Sequence, residues 1–66
     1  MEEIQTEYIK LEQFLKMNDL IETGGQAKWF LYRHEVKVNG EAENRRGRKL
    51  HSGDTVTVDG RAYPVK

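Results

Sequence analysis

Apolar residues recur at helical spacing in two segments of the first half of the chain and at strand spacing in the second half, so the change of period lays out the fold. Leu11, Phe14 and Leu15 stand at i, i+3, i+4, one face of a helix over about residues 11–17. Asn18 and Asp19 suit the exit, since short polar side chains tolerate left-handed backbone and bond locally. Leu20 and Ile21 then cross as an apolar link. Thr23-Gly24-Gly25-Gln26 has the form of a capping box, in which the Thr23 hydroxyl accepts from the Gln26 amide and the Gln26 side chain reaches back to the Thr23 amide. A second helix starts there, with Ala27, Phe30 and Leu31 facing the first helix, Lys28 and Arg33 off that face, and Trp29 and Tyr32 flanking it. From Val36 the period becomes two. Val36 and Val38 bracket Lys37, and Asn39-Gly40 ends that strand with a turn. Gly53-Asp54 marks another turn, Val56 and Val58 alternate with threonines over residues 55–58, and Asp59-Gly60 suits a tight type I′ hairpin. Residues 61–65 return as a strand, which Pro64 confines to a sheet edge because proline has no amide hydrogen to donate. Residues 3–6 read as a further short strand. The predicted class is α+β: two packed helices followed by a small, mostly antiparallel sheet in a single domain over residues 1–66.

Sixty-six residues suffice for one small core, and a chain of this size buries only about 60% of the surface it exposes when unfolded. The 36% of apolar residues are spread in patterned stretches, so the chain is expected to fold, with modest stability. With no cysteine there are no disulfides or thiolate ligands, and no apolar run is long enough to span a membrane. The acidic beginning, MEEIQTEYIK, lacks the basic and apolar stretches of a signal peptide, so a cytoplasmic location is expected. Eleven basic and eleven acidic residues cancel overall, but not locally. Residues 1–22 hold six acids and two lysines, a net of −4, whereas residues 23–52 hold seven basic residues and three glutamates, a net of +4. One half is therefore cationic, which alone is compatible with an ordinary solvated surface as well as with a polyanionic partner.

The order of motifs adds a more specific signal. LEQFLKMNDLIETGGQAKWFLYRHEVKVNG, then RRGRKL, then GDTVTV, resembles the S-four-type RNA-binding domain, the alpha-L motif, over about residues 10–59. Within that family the GGQAK, VKVNG, NRRGRKL and GD pieces look closest to small stand-alone bacterial members of the YaaA and YbcJ type. The resemblance implies two helices followed by a small sheet, and binding of structured RNA through the second helix and the adjoining strand region. It further implies ribosomal or transfer RNA as the target, with ribosomal particles as partners and a role in ribosome assembly or as a translation accessory. His34 departs from the family pattern, standing where many relatives carry glycine at the end of the second helix, and is expected to adopt the left-handed turn at some cost.

Several residues fit that use on their own chemistry. The start of the second helix offers free amides at Gly24, Gly25 and Gln26 beside Thr23, a seat for a phosphate, although the plainer role of these residues is to cap and turn the chain. Lys28 and Arg33 add charge along the helix. Arg45, Arg46, Arg48 and Lys49 pack four cations around Gly47 and repel one another unless anions neutralise them. Guanidinium groups fork onto phosphates and stack on exposed bases. Glu41 and Glu43 stand beside this run and temper it. Lys37 and Asn39 lie off the apolar face of their strand and are weaker candidates. Trp29 could stack on a base, but completing a small core is the commoner use of a tryptophan beside a helix stripe. Tyr8, Phe14, Phe30, Tyr32 and Tyr63 are read as packing.

Catalysis has little support. His34 and His51 have no ligand-like spacing for a metal, Asp54 reads as a turn residue, and no nucleophile, base and orienting group converge. No cofactor and no small-molecule substrate are expected. A different class of function, a protein-interaction adaptor with vestigial RNA affinity, is the competing expectation; it predicts a protein partner that survives nuclease treatment.

Overall fold

The computed structural model describes residues 7–66, and the strand expected over residues 3–6 lies outside them. The chain runs β1 (Ile9–Lys10), α1 (Leu11–Met17), a 3-10 turn (Gly24–Gln26), α2 (Ala27–Arg33), β2 (Val36–Val38), β3 (Glu41–Ala42), β4 (Lys49–Leu50), β5 (Thr55–Val58) and β6 (Arg61–Pro64). The class is α+β, as the change of period requires.

Helix α1 buries Leu11, Phe14 and Leu15 and ends in a Schellman motif. Asp19 takes φ 60, so that its amide donates to the Lys16 carbonyl at 3.0 Å and the Leu20 amide to the Leu15 carbonyl at 2.9 Å. The Asn18 side-chain amide also donates to the Phe14 carbonyl, at 2.9 Å. This exit turns the chain so that Ile21 enters the core and Leu20 packs against it. The second helix opens on the expected capping box. The Gln26 side-chain oxygen accepts from the amides of Thr23 at 3.0 Å and Glu22 at 2.6 Å, and the Gln26 amide donates to the Thr23 carbonyl at 3.1 Å. A carbonyl acceptor three residues back defines a 3-10 turn, which explains why the α-helix proper begins only at Ala27.

The main sheet has strand order β3-β2-β5-β6, antiparallel throughout. Val36 lies opposite Val58 and Val38 opposite Val56, so the alternation of each strand sends a valine pair into the core at every second step. Both hairpin turns have the backbone that their dipeptides favour: Asn39 at φ 52 with Gly40 at φ 86, and Asp59 at φ 48 with Gly60 at φ 88. Strand β6, with Pro64, is at an edge. Three short strands, each of two residues, were not expected from the sequence. Strand β3 is two exposed residues with no apolar alternation, and β1 and β4 form a separate two-stranded ribbon pairing Ile9 with Leu50 and Lys10 with Lys49.

Two further expectations are corrected. His34 is extended, at φ −120 and ψ 151, and not left-handed. Its ring stacks on Phe30, with centroids 4.3 Å apart, and its Nδ1 lies 2.7 Å from an Asp59 carboxylate oxygen, ties that direct the chain straight into β2 without a left-handed residue. The aromatic residues are not all packing either. Phe14 is buried and Phe30 and Tyr63 lean on the core, whereas Tyr8, Trp29 and Tyr32 are exposed. The largest fully buried side chains of the core are aliphatic, Leu11, Leu15, Leu50, Val38 and Val56, and Trp29 stands outside it at the surface.

Candidate functional site

The cationic run occupies the loop between β3 and β4, and the backbone fixes that loop on α1. The Leu11 amide donates to the Arg48 carbonyl at 2.8 Å and the Glu12 amide to the Arg46 carbonyl at 2.9 Å, so amides that a helix start leaves unpaired are satisfied by the loop. Within the loop the Arg48 amide donates to the Arg45 carbonyl at 3.2 Å. The turn is thus held at both of its arms.

Beneath it sits Glu43, the one buried charged residue among the described residues. Its carboxylate accepts from the Arg45 amide at 3.0 Å, from Arg45 Nε at 2.9 Å and Nη2 at 3.1 Å, and from Arg48 Nη1 at 2.7 Å. The hydrogen bonds from the Arg45 side chain, supported by Arg48, outweigh the cost of burial and hold this carboxyl down at about 2. Reciprocally, Glu43 raises the pKa of Arg45. The expected tempering of the arginines by their acidic neighbours therefore takes a definite form. One carboxylate fixes two guanidinium groups from below while 71% of the Arg45 side chain remains open to water. Arg46 points elsewhere, 3.8 Å from Glu12, and Lys49 lies over the Tyr8 ring, 5.0 Å from its centroid.

Glu12 connects this loop with the start of the second helix. A Cβ on Gly24 would meet the Glu12 carboxylate at 3.4 Å, and the same carboxylate oxygen is the one facing Arg46. Thr23, Gly24, Gly25 and Gln26 thus share one end of the molecule with Arg46. The Gln26 amide is already engaged, so Gly24 and Gly25 supply the amides not spoken for by the turn itself, and the Glu12 carboxylate lies beside Gly24. A phosphate reaching that end has to share it with Glu12, whose charge Arg46 offsets.

The remaining candidates lie apart. Lys28 and Arg33 are exposed on α2 and make no ion pair among the described residues. Lys37 on β2 is half-buried and lies 3.8 Å from Glu35. Asn39 has its side chain engaged on both sides, donating to Asp54 at 3.2 Å and accepting from the Thr55 amide at 3.0 Å. Asp54 in turn accepts from the His51 amide, and that bond, with the one from Asn39, depresses its pKa. Sequence reasoning placed Glu43 beside the arginines but had no means of finding it buried, and gave Glu12 and Tyr8 no part in the site. The only hint was the spacing of arginines two and five residues after Glu43, which becomes a clamp only once the loop folds back.

Among the described residues no group of three His, Asp or Glu side chains could hold a metal ion, and no helix is long and apolar enough to cross a membrane. The recesses are shallow. One beside α1 is bounded by Tyr8, Phe14, Met17, Leu50 and Val65, and another between the α1 exit and α2 by Asp19, Glu22, Trp29 and Arg33.

Two helices feeding a small antiparallel sheet, with a clamped cationic loop laid across the first helix, define the class: a compact α+β domain with a positively charged face. The chain belongs to the S4 domain family, whose model matches residues 2–66. It is 61% identical over 57 residues to a Bacillus subtilis protein named "Probable ribosome maturation protein RlbA", covering 86% of this chain and 80% of that one. It is 34% identical over 58 residues to the Escherichia coli "Putative RNA-binding protein YbcJ", covering 88% of this chain and 83% of that one. No solved structure matches the chain at a significant level.

Proposed function

We propose that this protein binds structured RNA without catalysis, in the cytoplasm, and acts on ribosomal or transfer RNA as a ribosome-assembly or translation accessory factor. The observation that carries the reading is the clamped loop: Glu43 holds Arg45 and Arg48 in one geometry, so the cations of the loop meet a phosphate backbone without first being ordered. Membership of the S4 domain family and the names of the two relatives, one for ribosome maturation and one for RNA binding, point the same way. In this reading Arg45, Arg46, Arg48 and Lys49 contact phosphates. Lys28 and Arg33 extend the contact along α2, Thr23, Gly24, Gly25 and Gln26 let the RNA backbone approach closely beside Arg46, and Lys37 and Asn39 border the surface.

The test is anisotropy of a labelled hairpin RNA across a salt series. Neutralising all four loop cations would strand the Glu43 carboxylate, so the variant to use is Arg46→Ala with Lys49→Ala, which leaves the clamp in place. Each lost phosphate contact lowers the steepness of log affinity against log salt by somewhat under one, so the double variant is expected to lose about one to two in slope and about tenfold or more in affinity near physiological salt. Binding that is weak and indifferent to both salt and substitution, with a protein partner captured after nuclease treatment, would hand the surface to the adaptor reading.

A further inference from the structure

We propose that the outer face of α2 is a stacking platform for unpaired nucleobases, built from Trp29 and Tyr32 and flanked by Lys28 and Arg33. The proposal rests on the RNA-binding reading and narrows its substrate to RNA that presents bases splayed out of a helix.

Trp29 is 63% exposed and Tyr32 84% exposed. They stand three residues apart on a helix whose opposite face, Ala27 and Leu31, is buried, so both rings project from the side that the fold does not use. Their centroids are 6.5 Å apart with the planes perpendicular, which leaves ring surface available to a third aromatic group. At about 100° per residue, Lys28 and Arg33 fall on either side of this pair, and the helix itself contains no acid. Two large aromatic surfaces between two cations match a nucleotide strand, whose bases are flat and polarisable and whose phosphates follow at the edge.

The charge around the pair favours bases over other occupants. Asp19 and Glu22 border the recess beside Trp29 together with Arg33. Carboxylates there repel phosphate but accept hydrogen bonds from the exocyclic amines of adenine, cytosine or guanine, so the base belongs in the recess and the phosphates toward the Lys28 side. A protein helix docking on this face would seek aliphatic side chains. The aliphatic residues of α2 are spent in the core, and the exposed face offers only rings and charges.

Trp29 is the single tryptophan of the chain, so its fluorescence reports stacking directly. The experiment titrates the full chain with a hairpin RNA carrying an unpaired adenosine loop, and with the same stem closed as a blunt duplex, reading RNA anisotropy and tryptophan fluorescence in parallel. The hairpin is expected to bind and quench Trp29, and the duplex to bind less tightly with little quenching. Trp29→Ala with Tyr32→Ala should weaken hairpin binding about tenfold or more while Trp29→Phe with Tyr32→Phe stays within about threefold of wild type. Neither pair touches the core, and alanine is the better helix former, so circular dichroism should show the fold intact. Equal hairpin affinity for wild type and the alanine pair, with wild-type tryptophan emission unchanged on adding the hairpin, would overturn the platform and leave the RNA reading standing on its cations. No binding of either RNA would overturn both. An RNA-free dimer abolished by the alanine pair would assign the face to a second copy of the chain and overturn the platform as well.

Discussion

Glu43→Gln is expected to lower the thermal midpoint by about 5–20 °C, the largest loss from any single polar substitution in this domain. Glutamine keeps the size and one acceptor oxygen, but it removes the charge and turns an NH2 group toward two guanidinium groups that can only donate. Breaking a fully buried ion pair costs about 3–5 kcal/mol; here Arg45 is largely in water, which screens the outer half of the pair, so about 1–3 kcal/mol is the appropriate range. In a domain this small each kcal/mol moves the midpoint by about 4–8 °C.

The same residue sets a pH dependence. Its carboxyl is held at about 2 in the folded protein against an ordinary value of 4.5. The folded state thus binds the proton less readily than the unfolded chain. The stability this confers is fully present above about pH 4.5 and is lost as the pH falls toward 2. Asp54, depressed first by the bond from the His51 amide, and Asp59, depressed first by the bond from the Glu35 amide and then by His34, lose their contributions in the same direction. Urea midpoints measured between pH 6 and pH 2 should therefore fall steeply for wild type and less steeply for Glu43→Gln; parallel curves would show that the clamp contributes nothing. On the proposed RNA reading the substitution should also weaken hairpin binding although it makes the protein more positive, because a loose loop must be ordered at the moment of binding. Tighter binding by Glu43→Gln would show that net charge, and not the clamp, governs affinity.

The second large effect is expected at Leu50. This side chain is fully buried, and its strand closes the far side of the cationic loop by pairing with Ile9. Truncation of such a leucine to alanine removes transfer free energy and leaves a cavity, together about 2–5 kcal/mol. A domain of this length has about 3–10 kcal/mol in all, so Leu50→Ala should lower the midpoint by about 10–30 °C and leave a measurable unfolded fraction at 37 °C. Circular dichroism melts check this. A midpoint within a few degrees of wild type would mean that the ribbon of β1 and β4 is not integral to the core, and with it the anchoring of the loop would fall.

How far the sequence reaches can be judged element by element. Leu11, Phe14 and Leu15 repeat at the helical period, the valines of β2 and β5 at the strand period, and Asn39-Gly40 and Asp59-Gly60 carry the positive φ values of tight hairpins. These are local preferences, set by backbone sterics and by which residues can share a face, and they are written in neighbours a few positions apart. The same holds for Pro64 and the sheet edge. The family, too, was legible, because its motifs keep a fixed order along the chain.

What the tertiary structure alone decided concerns residues whose partners are distant or whose environment depends on how full the core already is. Whether Trp29 is buried depends on how Leu11, Leu15, Leu50 and the valines come together, and they assemble with Trp29 outside them, exposed. His34 is extended because its ring, stacked on Phe30, also meets Asp59, far along the chain, and that second tie cannot be read from its neighbours. Lys49 and Leu50 form a strand only because Ile9 and Lys10 supply one to pair with, and two-residue strands have no period to read. Glu43 shows the division most clearly. Its charge and its arginine neighbours are visible in the sequence, but its burial, its low pKa and its command of Arg45 and Arg48 arise when the loop is pinned to the start of α1, a contact between residues more than thirty positions apart.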